Sequence, residues 1–568
     1  MKTFTQFFSL TLFLTVGIHA TLHAQTGCAA GTATETLDAG NSIIKLSSSG
    51  IWAFDLSGEI PAYQWPKQQG PANTATGILF TGNLWIGGFD DGGNLKLAAK
   101  TYGTDDNNGF WPGPIDEEGT TVQNCENWDR LFKVSKAAIQ AVQADYADNQ
   151  QLDDPIPASI LGWPGKDNPF FNEVYGFDLP TTSSGLAPFF DRNGDARYDP
   201  MAGDYPEIKC ADQAVWWVFN DVGNVNFVNS TSIMLEIQMM AYAYDVTMSE
   251  VYNSSFYDVK IINRGTEPLD STYFGLWIDP DLGCPFDDYL GCVPEENLGF
   301  VYNADAVDGL PDGSCQDVPT YEAPPLFGIK LLQEPLDEFG DDVGMSSFTY
   351  YNSNGTPPGQ QGPTAGHEFY NALAGRRSDN AAFIDPDGMP TKYLFSDNPA
   401  DTPDGWSMCS EATPLADNRL VLSIGSFRMD PGAINNFTFA VVVQPQAELP
   451  CPDITTLIEA ADLPTPANEG SFYCGLTVST SNEVLNTPQL STYPNPASDR
   501  LNFQFLNDEN EKLQSVKLYR TDGKLMAEKD TILQEKFVFD VAGLATGMYF
   551  YKAQSINGNV YTGKVILE

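Results

Sequence analysis

The chain has 568 residues, of which 75 are acidic and 29 basic, giving a net charge of −46. That excess of carboxylates excludes nucleic acid as a partner, because binding phosphate backbones needs a basic footprint. An aromatic content of 12% supplies large buriable groups that disordered acidic chains lack, and 50 Gly with 39 Pro point to a folded, loop-rich β protein.

At the amino end, Lys2 precedes an apolar run over residues 7–18. The run is too short for a bilayer, which takes about 20 residues, and fits the apolar core of a signal peptide. We therefore expect a signal peptide at residues 1–24, cleaved after Ala24. Thr26 and Gly27 precede Cys28, yet Gln25 stands where a lipoprotein box carries an aliphatic residue, so lipidation is not expected. No later stretch is long and apolar enough for a transmembrane helix.

All nine cysteines (Cys28, Cys125, Cys210, Cys284, Cys292, Cys315, Cys409, Cys451 and Cys474) lie between residues 25 and 476. An exported protein keeps such residues where disulfides persist. None forms a C-x-x-C pair, which disfavours structural zinc and thioredoxin-type chemistry. Cys284 with Cys292, and Cys451 with Cys474, are the nearest candidate pairs. The odd count leaves at least one cysteine without an internal partner. Of three histidines, His19 and His23 fall in the signal peptide and leave His367 alone in the body. That excludes HExxH and multi-histidine metal chemistry. A Ser/His/Asp or Cys/His enzyme would have to use His367, which has no nucleophile elbow nearby.

In the body, residues 77–88 and 95–99 read as a hairpin about Asp90-Asp91-Gly92-Gly93-Asn94, and FWPGP at 110–114 breaks regular structure. Ser135 caps a short helix whose Ile139, Val142 and Tyr146 fall at helical spacing. Residues 233–240 alternate as a strand does, and 257–263, 272–278, 419–427 and 436–443 are further strands. The fold expected is mainly β. A large loop-rich β-sandwich body, one sandwich or two packed together, spans residues 25–476. A polar linker follows at 477–491, then a small C-terminal antiparallel β-sandwich at 492–568.

The strongest chemical pattern in the body is DRNGDARYD, residues 191–199. Asp191, Asn193, Asp195 and Asp199 stand at positions 1, 3, 5 and 9 of an EF-hand-like loop, and Arg197 supplies a backbone carbonyl at position 7. Ala196 occupies the turn-glycine position, and Ala202 stands where a bidentate Glu belongs, with Asp204 a substitute ligand. We expect a structural calcium ion here, ordering an acidic loop that would otherwise repel itself. A second acidic cluster, Asp279, Asp281, Asp287 and Asp288, offers a further cation site. Asp279 ends a strand whose neighbour is expected to carry Glu236, and such a carboxylate pair is the machinery of a glycoside hydrolase. Glu236 and Asp279 are thus weak catalytic candidates, and none is strong. Trp216, Trp217 and Trp277 fit a core better than a sugar-stacking platform.

The last 77 residues open on YPNPASD at 493–499, where two prolines deny the chain both helix and central strand. Apolar residues then alternate at Leu501, Phe503 and Phe505, Val516 and Leu518, Phe537 and Phe539, Met548 and Phe550, and Val565 and Leu567. Asn557-Gly558 is a strong hairpin turn. YPNPASD, GMYFYK at 547–552 and a terminal GKVILE resemble, in that order, the type A sorting domain of the type IX secretion system of Bacteroidota. Tyr493, Pro494, Asn495, Pro496, Gly547, Tyr549, Gly563 and Lys564 carry the resemblance. It implies recognition by that secretion machinery, passage across the outer membrane, removal of the domain, and release from or attachment to the cell surface.

LWIGG, FWPGP, FFDRNGDARYDPMAGDYP, WWVFND and LWIDPDLG in the body resemble large secreted Bacteroidota proteins with the same tail, a resemblance that implies no substrate. The expected function is therefore an exported, non-catalytic body, structural or adhesive and calcium-stabilised. A glycan-binding module and a carboxylate-based glycoside hydrolase are the alternatives. Surface polysaccharide or lipopolysaccharide is the candidate external partner.

Overall fold

The computed structural model describes residues 28–55, 61–67, 76–102, 109–115, 125–182, 184–222, 231–246, 249–313, 315–316, 318–352, 359–445, 448–463, 489–493, 497–506, 512–520, 524–534, 536–556 and 560–567. The expected signal peptide, Cys474, most of the expected linker, Pro494, Asn495, Pro496 and the expected Asn557-Gly558 turn fall outside them. The chain divides into two compact units, residues 1–477 and 478–568.

Two nine-stranded sheets, antiparallel between neighbouring strands, build the first unit. Seven strands of one run in the order Thr34–Leu37, Ile43–Ser47, Tyr63–Gln64, Gly77–Phe89, Leu269–Pro280, Asn418–Met429 and Met345–Asn352, and Ile51–Ala53 and Leu95–Ala99 also pair with Gly77–Phe89. Eight strands of the other run Asp288–Val293, Leu298–Asn303, Leu326–Gln333, Ile434–Gln444, Ser254–Asn263, Leu235–Ala243, Gln213–Asn220 and Trp111–Pro112, and Phe132–Ser135 also pairs with Gln213–Asn220. The chain passes back and forth between them, so sequence neighbours such as Ser254–Asn263 and Leu269–Pro280 lie in different sheets. The expected strands all form: the one expected at 233–240 is shifted to Leu235–Ala243, and the others extend by one to three residues at one or both ends.

Aromatic side chains join the sheets. Trp52 of the first meets Tyr257 and Phe439 of the second at 5.0 and 5.2 Å between ring centroids, and Phe274 meets Phe437 at 5.8 Å. Trp52, Tyr257 and Phe439 are fully buried. Each contributes about 1.5–3 kcal/mol through removal of its apolar surface from water. Gly82 allows Trp52 to lie against its strand, since a Cβ there would sit 2.0 Å from the indole ring.

Each sheet has a second, outward face. On the first sheet, Trp85, Tyr273, Trp277 and Val421 are covered by the helix Gly366–Leu373 through Phe369 and Leu373. Its periodicity is only two turns long, which is why the sequence reading passed over it. His367 lies on this helix, and the neighbouring Glu368 carboxylate accepts hydrogen bonds from the N–H groups of Thr364 and Ala365. The expected helix spans Lys136–Asn149. The Ser135 side chain accepts from the Ala138 N–H, and Ile139 and Val142 are its buried residues.

The second unit is a smaller pair of sheets. Gln489–Tyr493, Arg500–Leu506 and Lys536–Asp540 form one, and Leu525–Gln534, Leu513–Arg520, Gly547–Ser555 and Val560–Leu567 the other. Leu501, Phe503, Val516, Leu518, Phe539, Val565 and Leu567 fill the core, as their alternation predicts. The Gly547–Ser555 strand is the exception. Phe550 is exposed, and Tyr549 and Tyr551 turn inward instead. Tyr551 packs on Phe503 at 5.1 Å, and the Tyr549 hydroxyl donates to the Ala545 carbonyl at 2.8 Å, so the tyrosines bury their rings without losing hydrogen bonds.

Candidate functional site

Pairing register gathers a polar set on the outward face of the second sheet. Gln238 stands opposite Lys260 and Lys260 opposite Asn436; on the next rung but one, Met240, Asp258 and Thr438 are aligned. Alternation sends Tyr257, Val259 and Ile261 the other way, into the core. The outward set floors a groove of about 610 Å³, walled by residues 184–189 and reached by Lys166, Lys209 and Ala196.

Glu236 lies in the same row as Gln238 and Met240, and it is fully buried. Its Oε2 accepts from the Ile115 N–H at 2.9 Å and pairs with Arg264 at 3.2 Å, while its Oε1 accepts from the Gln238 amide at 2.7 Å. Burial raises its pKa, and the Arg264 guanidinium opposes that rise. Arg264 also donates to the hydroxyls of Ser184 and Thr182, and Gln238 to the Gly185 carbonyl. Glu236 therefore anchors the groove wall from beneath.

Asp279 is elsewhere. Its strand, Leu269–Pro280, pairs with Gly77–Phe89 and Asn418–Met429 in the first sheet, whereas the Glu236 strand pairs within the second. The expected pairing of these two strands is thus corrected. Asp279 accepts from the Tyr102 hydroxyl at 2.7 Å and faces Arg419 Nε at 3.1 Å. Burial, with repulsion from Asp417, pushes its pKa up to about 7 against the pull of Arg419. Trp216, Trp217 and Trp277 are buried, the last stacked on Trp85 at 5.9 Å.

In the Asp191 loop, side chains fold back on the loop's own backbone. Asp191 accepts from the Gly194 and Ala196 N–H groups, Asn193 from Asp195, and Asp195 from Arg197. Ala196 takes φ +62°, the left-handed conformation for which an EF-hand loop uses glycine at that position. Asp204 is buried and accepts from the N–H groups of Arg192 and Asp199. Burial raises its pKa despite these bonds, helped by repulsion from Asp191 and Asp195. Asp199 accepts from Met201 instead, and the Arg197 side chain turns out to Asp167. Among the described residues no three His, Cys, Asp or Glu side chains form a group that would hold a metal ion.

Further along, Asp288 accepts from the Leu282 N–H, Asp287 from Gly309, and Asp308 from Cys284 and Tyr321, so these carboxylates fasten the loop bridged by Cys284–Cys315. That disulfide corrects the expected Cys284–Cys292 pair, and Cys409–Cys451 corrects Cys451–Cys474. Spacing along the chain failed because the sandwich brings distant loops together. Cys28 bonds Cys125, Cys210 is disulfide-bonded, and Cys292 is a buried free thiol. Lys260, Lys166 and Gln238 went unremarked in the sequence, although a charged pair at alternate positions, Asp258 and Lys260, marks one strand face as polar.

No curated protein matches the chain. A solved polysaccharide lyase has 7% identity over 58% of this chain and 34% of its own length, with a TM-score of 0.18. The chain thus spans about a third of that structure's length. Residues 491–568 match the family described as the secretion system C-terminal sorting domain. The chain therefore carries, at residues 491–568, a type IX sorting domain that directs it to secretion or to the cell surface.

Proposed function

We propose that the body is a non-catalytic module, structural or adhesive, that works outside the cell after loss of the signal peptide and the sorting domain, and that calcium stiffens it. The observation that carries the non-catalytic reading is the separation of Glu236 and Asp279. Each is tied to its own arginine in its own sheet, so neither is poised opposite the other as acid and base.

The calcium reading rests on the loop's backbone. Ala196 holds the turn conformation of an EF-hand loop, and each carboxylate oxygen of Asp191 and Asp195 keeps a second lone pair after accepting one hydrogen bond, from the backbone or, at Asp195 Oδ2, from the Asn193 side-chain amide. Asp191, Asn193, Asp195 and the Arg197 carbonyl would hold the ion, with Asp199 or Asp204 completing the set. Calcium would offset the repulsion among these carboxylates.

Calorimetric titration of residues 25–476 with calcium tests it. One site per chain is expected, lost in Asp191→Ala. The absence of a heat of binding in the intact protein would remove calcium from the account.

A further inference from the structure

The groove on the second sheet has a charge at odds with the chain. Lys166, Lys209 and Lys260 reach it, and Asp258 is the one carboxylate among its described lining residues. Asp258 is already occupied: it accepts from the Tyr242 and Thr438 hydroxyls at 3.2 and 2.8 Å and pairs with Lys209 at 2.5 Å. Lys260 donates to the Ser184 carbonyl at 2.7 Å. Neither Lys260 nor Lys166 has a carboxylate within ion-pairing distance among the described residues, although acidic residues outnumber basic ones 75 to 29. The carboxylate acting most strongly on Lys260 is Glu236, which Arg264 holds. Burial lowers the Lys260 pKa, as expected for an ammonium group drawn from water, and the Glu236 carboxylate only partly opposes the shift.

Beside these cations the groove presents the amide groups of Asn436 and Gln333, the former exposed. Amides both donate and accept, which suits hydroxyl groups. The volume lies within the range of about 300–1,000 Å³ typical of small-molecule sites and far exceeds a bare inorganic anion. The floor is preformed, since Asp258, Thr438 and Gln238 are locked by internal hydrogen bonds and the wall is braced through Arg264.

We propose that this groove binds an acidic saccharide, with Lys260 and Lys166 receiving its carboxylate and Asn436 and Gln333 its hydroxyl groups. The assignment deepens the non-catalytic reading, and the two fail separately. Calorimetric titration of the full body with trigalacturonate, galactotriose and a glutamate-rich peptide tests it. Trigalacturonate is expected to bind at least tenfold more tightly than galactotriose. Lys260→Met and Asn436→Ala should each weaken it, the first by at least tenfold, while melting temperatures confirm that both variants fold. No binding of trigalacturonate, equal binding by both variants, or equal binding of the glutamate-rich peptide would overturn the proposal. Release of new reducing ends would contradict the non-catalytic reading and leave the groove assignment standing.

Discussion

Arg264 bridges Glu236 and Ser184, pairing with the Glu236 carboxylate at 3.2 Å and donating to the Ser184 hydroxyl at 2.7 Å. A residue that looked like a candidate acid is thereby the anchor of a loop. Removing one partner of a buried ion pair costs about 3–5 kcal/mol, because the other charge stays buried without compensation. Glu236→Gln is expected to lower unfolding stability by about 3 kcal/mol, measured by urea denaturation. Glu236→Leu combined with Arg264→Met should lose less than Glu236→Leu alone. A neutral Glu236→Gln would show that the pair does not hold the wall.

Gly82 faces Trp52 so closely that any side chain must displace an indole wedged between the sheets. Overpacking of this kind costs about 1–3 kcal/mol. Gly82→Ala should lower the urea midpoint accordingly, and an unchanged midpoint would contradict the close approach.

Acidity is set against stability at neutral pH. Asp221, Asp287 and Asp308 are pushed up to about 6, and Asp279 to about 7, burial being the first cause in each. Between the ordinary carboxylate value near 4 and these raised values the folded chain binds more protons than the unfolded one, so stability falls as pH rises across that window. The urea midpoint should therefore increase from pH 7 to pH 5 in the presence of chelator, and Asp287→Asn should flatten the dependence. A midpoint that falls over the same interval would contradict these environments.

The disulfide pattern is open to direct mapping. Non-reducing digestion should yield Cys28–Cys125, Cys284–Cys315 and Cys409–Cys451 peptides, with Cys292 alkylated only after denaturation. Loss of the Cys409–Cys451 bridge should cost about 2–5 kcal/mol. Recovery of a Cys284–Cys292 peptide would contradict the fold of that loop.

What the residues announced and what they concealed divide along one line. Period-two alternation marked strands such as Leu235–Ala243 and Leu269–Pro280, because it is written locally, whereas Gln213–Asn220, Leu326–Gln333 and Met345–Asn352, buried along most of their length, went unmarked. Partnership is not written locally: the Glu236 and Asp279 strands, and the cysteine pairs, depend on a chain that changes sheets repeatedly between residues 235 and 444. The Gly547–Ser555 strand misled because Tyr and Phe are both bulky and aromatic, so alternation alone does not say which faces inward, and a hydrogen-bond partner for the Tyr549 hydroxyl permits its burial. The groove was hidden for a further reason, since Lys260, Asn436 and Gln238 meet only through register. The tail was the most legible stretch, as its motifs lie together at one end.

That tail gives its own test. Deletion of residues 492–568 should leave the protein in the periplasm, detected by fractionation, and normal surface delivery of the truncated chain would contradict the sorting role.

The central claim, a body stiffened by calcium at the Asp191 loop, is tested most directly by thermal melting with and without chelator. The account predicts a lower melting temperature in chelator for the native sequence and no difference for Asp191→Ala combined with Asp195→Ala. Superimposable curves for the native sequence would contradict it.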